Sequence, residues 1–127
     1  MSTAFNAREG LVIVRARIWG PTGDALLRLA LDTGASSTSV RTGVLVSIGY
    51  DPAAALERVQ VTTASGVEFV SRLSVHKLEA LGQSRTHFAV LCHTLPPSAS
   101  VDGVLGLNFL REHRLVIDFR TGLIDLR

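Results

Sequence analysis

Cysteine is almost missing from this chain. Among 127 residues there is one, Cys92, so no disulfide can form within the chain and the disulfide-stapled class is excluded. A reducing compartment, the cytoplasm, is the expected location. Long hydrophobic runs are missing too, since no stretch approaches the roughly 18 residues that cross a bilayer. Residues Met1 to Gly10 lack the basic-then-apolar pattern of a secretory signal, and no membrane partner is expected. Charge of one sign is not in excess: 13 Lys+Arg stand against 11 Asp+Glu, giving +2. These charges are interspersed, so even with a pI near 9.3 no nucleic-acid partner is expected. There is no Gly-Lys-Ser/Thr phosphate loop. The four histidines, His76, His87, His93 and His113, fall at no metal-ligand spacing, and neither a metal nor another cofactor is expected.

What is present suffices for a core. Hydrophobic residues make up 46% and charged residues 19%, a length and balance that fit one compact domain over residues 1–127. Eleven glycines, many β-branched residues and short apolar stretches predict a mainly β chain. Leu11 to Trp19 and Ala25 to Leu31 read as a hairpin about the Gly20-Pro21-Thr22-Gly23-Asp24 turn. Thr42 to Tyr50 allows a short helix. Glu57 to Thr63 and Val67 to Val70 alternate on either side of Ala64-Ser65-Gly66, which predicts a projecting hairpin. Leu73 to Leu81 and His87 to His93 read as two further strands joined around Gly82-Gln83-Ser84, the second ended by Pro96-Pro97-Ser98. Val101 to Leu105 predicts a short strand leading through Gly106 into a two-turn helix that Asn108 could cap. A last hairpin, Leu115–Phe119 and Leu123–Leu126, closes the pattern.

The sharpest local feature is Leu31-Asp32-Thr33-Gly34-Ala35-Ser36, an acid on a turn at the end of an apolar strand. A carboxylate held against apolar walls is pushed toward protonation, while a neighbouring hydroxyl and a nearly bare glycine backbone can fix its geometry and admit a substrate. The triplet alone is weak evidence, because chance places an Asp-(Thr/Ser)-Gly in about one chain in twenty of this length. An Asx-type turn explains Asp32 equally well. The context that adds weight is order: acidic turn, projecting hairpin, then Val104-Leu105-Gly106 and a helix.

That ordered set resembles the retropepsin-like aspartic proteases, retroviral and bacterial relatives of half a pepsin, over nearly the whole chain. Asp32 to Ser36 match the active-site loop, and Val104-Leu105-Gly106-Leu107-Asn108 match the late apolar-apolar-Gly-x-Asn segment before the family's helix. The resemblance implies a closed β-barrel of the double-psi acid-protease type, with one short C-terminal helix and a two-fold homodimer. Asp32 would then be the catalytic acid/base, the Thr33 hydroxyl would lock the two active-site loops across the dimer axis, and Gly34, with Ala35 and Ser36 following, would approach the substrate backbone. Ala64, Ser65 and Gly66 would tip the flap. Leu107 departs from the pattern, since retroviral enzymes often carry Arg there as a dimer-stabilising partner. In the family the terminal strands of both subunits interleave, and Leu123–Leu126 is the segment suited to that.

The reaction so implied is endopeptidase hydrolysis of a peptide or protein substrate. It needs two carboxylates, and a chain with one Asp-Thr-Gly supplies them only as a homodimer. Asp102-Gly103, the internal rival, lacks the hydroxyl residue. Two other readings stand beside it: a silent member of the fold that binds peptides or dimerises by strand addition, and a phosphate-binding hairpin of the actin and sugar-kinase type, for which the chain is too short. Cys92, in an apolar strand, reads as a small core residue.

Overall fold

The computed structural model describes residues 1–93 and 100–127; the Pro96-Pro97-Ser98 strand end lies outside them. Among the described residues ten strands and two short helices follow in the order β1 (Ser2–Ala4), β2 (Ile13–Gly20), β3 (Gly23–Leu31), β4 (Ser39–Arg41), α1 (Thr42–Ser47), β5 (Glu57–Thr63), β6 (Gly66–Ala80), β7 (Gln83–His93), β8 (Gly103–Leu105), α2 (Leu107–Leu110), β9 (Leu115–Asp118) and β10 (Leu123–Leu126). A 3₁₀ turn, Pro52–Ala54, precedes β5.

The larger sheet runs β2-β3-β8-β4-β7-β6-β5, and a further β2–β6 pairing closes its first six strands into a barrel. Closure removes every barrel edge and leaves β5 as an appendage on β6. Alternation sends Val14, Ala16 and Ile18 of β2, Leu27 and Leu29 of β3, and Val75, Leu78 and Val90 of β6 and β7 inward, all but excluded from solvent. Phe109 caps one end, fully buried and edge-on to Phe88 at 5.7 Å between ring centroids. At the seam between β2 and β6 the Tyr50 hydroxyl donates to the Trp19 carbonyl and accepts from the His76 amide. Burial pushes this phenol's pKa up, only partly opposed by the His76 amide.

Three local expectations change. Val67–Val70 and Leu73–Leu81 are one 15-residue strand, β6, because its first half pairs with β5 while its second half is a barrel stave pairing with β7 and β2. Ser71, between the two expected segments, is buried and donates to the Pro52 carbonyl at 2.8 Å. The β6–β7 turn is Leu81-Gly82, both with positive φ (54° and 75°), one position earlier than the glycine suggested because a leucine occupies a site where Asn is usual. The helix within Thr42–Tyr50 stops at Ser47, and Gly49 follows with φ 101°.

The chain termini build a separate antiparallel sheet, β1-β10-β9. Here Leu123–Leu126 is the central strand: Ser2–Ala4 pairs with one edge and Leu115–Asp118 with the other. Ile124 and Leu126 are buried beneath it. The segment suited to interleaving with a second subunit thus has both hydrogen-bonding edges filled from its own chain. Sequence could not reveal this, because the short β1 segment carries no hydrophobic alternation of its own.

Candidate active site

The site grows from a crossing of two loops. Strand β8 lies between β3, to which it is parallel, and β4, to which it is antiparallel. The loop 32–38 leaves β3 and must pass around the end of β8 to reach β4, which makes a ψ-shaped crossing. Close approach there is possible only because of two glycines. A Cβ on Gly103 would overlap the Ser39 carbonyl, and one on Gly106 would stand 2.5 Å from the Ser37 oxygen and 2.9 Å from that of Ala35.

Hydrogen bonds then fix the loop. The Asp32 amide donates to the Leu105 carbonyl, and the amides of Leu107 and Asn108 donate to the carbonyls of Ala35 and Ser36. At its centre lies Thr38, with no exposed surface. Its amide and hydroxyl both donate to Asn108 Oδ1, at 2.9 and 2.7 Å, while its Oγ1 accepts from the Gly106 amide at 3.1 Å. Asn108 Nδ2 reaches on to the Ala89 carbonyl. Asn108 therefore does not cap the helix: α2 is a single turn, Leu107–Leu110, with Gly106 at its N-cap and no side-chain cap. The Asn side chain serves the loop opposite instead, a pairing across 70 residues that local pattern cannot disclose. Thr38 was missed for the same reason, although a hydroxyl residue directly before the apolar β4 hinted at a buried role.

On this scaffold Asp32, Thr33, Gly34 and Ser36 are exposed and Ala35 is half-buried. Asp32 Oδ1 accepts from the Gly34 amide at 2.8 Å. The Asx turn is thus present, and it orients an exposed carboxylate rather than burying one. The apolar walls expected around the acid are not supplied by this single chain. Val104 is half-buried, and Leu105 is fully buried in the core.

Asp102 occupies a different environment. Its Oδ2 accepts from the Arg28 amide at 2.8 Å, its backbone bridges Arg28 and Arg41, and its Oδ1 stands 3.3 Å from Arg41 Nε. That last contact is an ion pair without hydrogen-bond alignment, since Nε has no such partner among the described residues. Asp102 splices β3 to β4 where β8 begins.

Strands β5 and β6 form the projecting hairpin, registered Thr63 to Gly66 at its tip. Ala64, Ser65 and Gly66 are exposed, Gly66 at φ 126°. Between this hairpin and the acidic loop lies a cleft of about 460 Å³, bounded by residues 34–37 on one side and 59–62 on the other, with Arg72, Leu91 and Val104 at its floor. A larger recess of about 600 Å³ on the hairpin's other face reaches none of residues 32–36.

The remaining candidates separate from this place. Cys92 is buried, and burial raises its thiol pKa, so it stays protonated and poorly nucleophilic. Among the described residues no three His, Cys, Asp or Glu side chains gather at metal-binding distance, and no helix is long and apolar enough to cross a membrane.

A closed barrel with a ψ crossing, an Asp-Thr-Gly loop and a late Val-Leu-Gly segment defines a retropepsin-like aspartic protease fold. The model of the gag-polyprotein putative aspartyl protease family matches residues 22–112, and the chain belongs to that family. Among solved structures it is similar to a retropepsin-like aspartic protease from Rickettsia conorii, with a TM-score of 0.73 and 19% identity over 99% of this chain and 88% of that one. No curated protein matches it.

Proposed function

We propose that the protein is an aspartic endopeptidase acting as a two-fold homodimer, with residues 1–127 forming one subunit. The observation that carries this is the state of Asp32: an exposed carboxylate, oriented by Gly34, on a loop that is braced through a buried Thr38–Asn108 network and whose next residues, 34–37, border a hairpin-roofed cleft. A purely structural acid would be tied down as Asp102 is. In the dimer, Asp32 of each subunit meets its counterpart across the axis, where the exposed Thr33 hydroxyls also meet. One carboxylate takes a proton from water as its oxygen attacks the scissile carbonyl carbon. The other, protonated, donates to the carbonyl oxygen; collapse of the tetrahedral intermediate then breaks the C–N bond and delivers a proton to the leaving amine. Gly34 leaves room for the substrate backbone, and the hairpin tip at Ala64-Ser65-Gly66 closes over it. A lone protonated thiol and no disulfide suit the cytoplasm.

Two carboxylates in contact share one proton over a pH window, so turnover should follow a bell on the acidic side of neutrality. The decisive experiment compares wild type, Asp32→Asn and Asp102→Asn on a pool of peptides, with sedimentation over the same dilution series. Asp32→Asn should fold and lose hydrolysis, Asp102→Asn should retain it, and specific activity should fall as the dimer dissociates. Binding of peptides by a wild-type protein that never cleaves them would favour the silent reading.

A further inference from the structure

Strand register lines up one row of side chains across five strands beneath the hairpin. Glu57 pairs with Arg72, Arg72 with Leu91, Leu91 with Ser39, and Ser39 with Val104. Partners in register share a face of the sheet, and the last four of this row line the cleft beside the acidic loop. Arg72 is therefore a permanent cation on an otherwise neutral floor. Among the described residues the cleft lining contains no carboxylate, and it adds a second basic side chain, His93, and the hydroxyls of Ser36 and Ser37. Arg72 Nη2 contacts Glu57 Oε2 at 2.8 Å, but both side chains are largely in water, 45% and 61% exposed. An ion pair so placed contributes little and exchanges readily for another carboxylate.

From this juxtaposition we propose that Arg72 is the specificity-determining residue of the cleft and selects substrates with an acidic side chain, Asp or Glu, close to the scissile bond. The inference rests on the endopeptidase reading. A guanidinium offers paired donors that match a carboxylate, while Val59, Val61 and Leu91 line the same cleft and offer apolar surface to the methylene carbons of such a substrate side chain. Arg72 touches the substrate side chain only, so its effect falls on selection between substrates rather than on the chemical step.

The test is cleavage-site profiling of the full chain on a peptide library randomised on both sides of the scissile bond, read by mass spectrometry. Wild type should favour Asp or Glu over Asn or Gln at one position by about tenfold, the worth of one charge-assisted hydrogen bond in a partly open cleft. Arg72→Gln should bring that ratio close to one, and Arg72→Lys should keep part of it. Glu57→Gln, which removes the competing carboxylate, should raise it, whereas a merely structural ion pair would leave it unmoved. Cleavage without acidic preference, or a preference that survives Arg72→Gln, overturns the inference and leaves the protease reading standing. No cleavage by wild type at any protein concentration overturns the protease reading, and the inference with it.

Discussion

Replacing Asn108 by Ala tests the brace behind the acidic loop. The change deletes the acceptor shared by the Thr38 amide and hydroxyl, and Thr38 is completely buried. A buried donor left without a partner costs roughly 1–3 kcal/mol. The lost donor to the Ala89 carbonyl costs little, because Ala89 is exposed and water can replace it. Two orphaned donors, with some relaxation of the Thr38 hydroxyl, give an expected loss of about 2–4 kcal/mol. Thr38→Val orphans the Gly106 amide and should cost about 1–3 kcal/mol. Because the two side chains share one bond, the double variant should lose less than the sum, with a coupling of about 1–2 kcal/mol. Urea unfolding at one fixed protein concentration measures each corner of the cycle, with unchanged m-values as the check that two-state behaviour holds. A loss below about 0.5 kcal/mol for Asn108→Ala, or strictly additive effects, would refute this account of the loop.

Other consequences are equally direct. Gly103→Ala drives a Cβ into the Ser39 carbonyl at the ψ crossing; it should cost more than about 4 kcal/mol and leave little folded protein by circular dichroism. Gly66→Val forces a β-branched residue toward φ 126° at the hairpin tip, where no other atom crowds it. About 1–2 kcal/mol of strain should reshape the tip and lower kcat/KM while the unfolding midpoint moves little; unchanged kinetics would mean the tip does not cover the site. Asp118 accepts from the amides of Arg120 and Thr121, which hold its pKa below the ordinary 3.8. A group with a depressed folded value contributes stability above its unfolded value and loses it as pH falls through the folded one. The stability difference between wild type and Asp118→Asn should thus be present at neutral pH and shrink as the pH drops below 3.8; a difference constant into strong acid would contradict this.

Sequence alone determined the features that are local in the chain. Alternation within Leu11–Trp19 and Glu57–Thr63 and the short apolar run Ala25–Leu31, punctuated by glycine turns, are enough to foresee barrel strands and a projecting hairpin, because such short patterns need no distant partner to be seen. The Asp32-Thr33-Gly34 loop and the Val104-Leu105-Gly106 segment are legible for the same reason, and their order along the chain carries the family resemblance. Tertiary structure alone decided everything that depends on residues far apart. It gave Asn108 to Thr38 instead of to its own helix, put Asp102 into a splice between strands, and joined two segments into β6 because three different strands pair along its length. It also turned Leu123–Leu126 into the centre of an intrachain sheet and brought Arg72 into register beside the cleft. A backbone donor or a buried hydroxyl must find a partner somewhere, but which partner is settled only when the barrel closes and fixes the register of every strand.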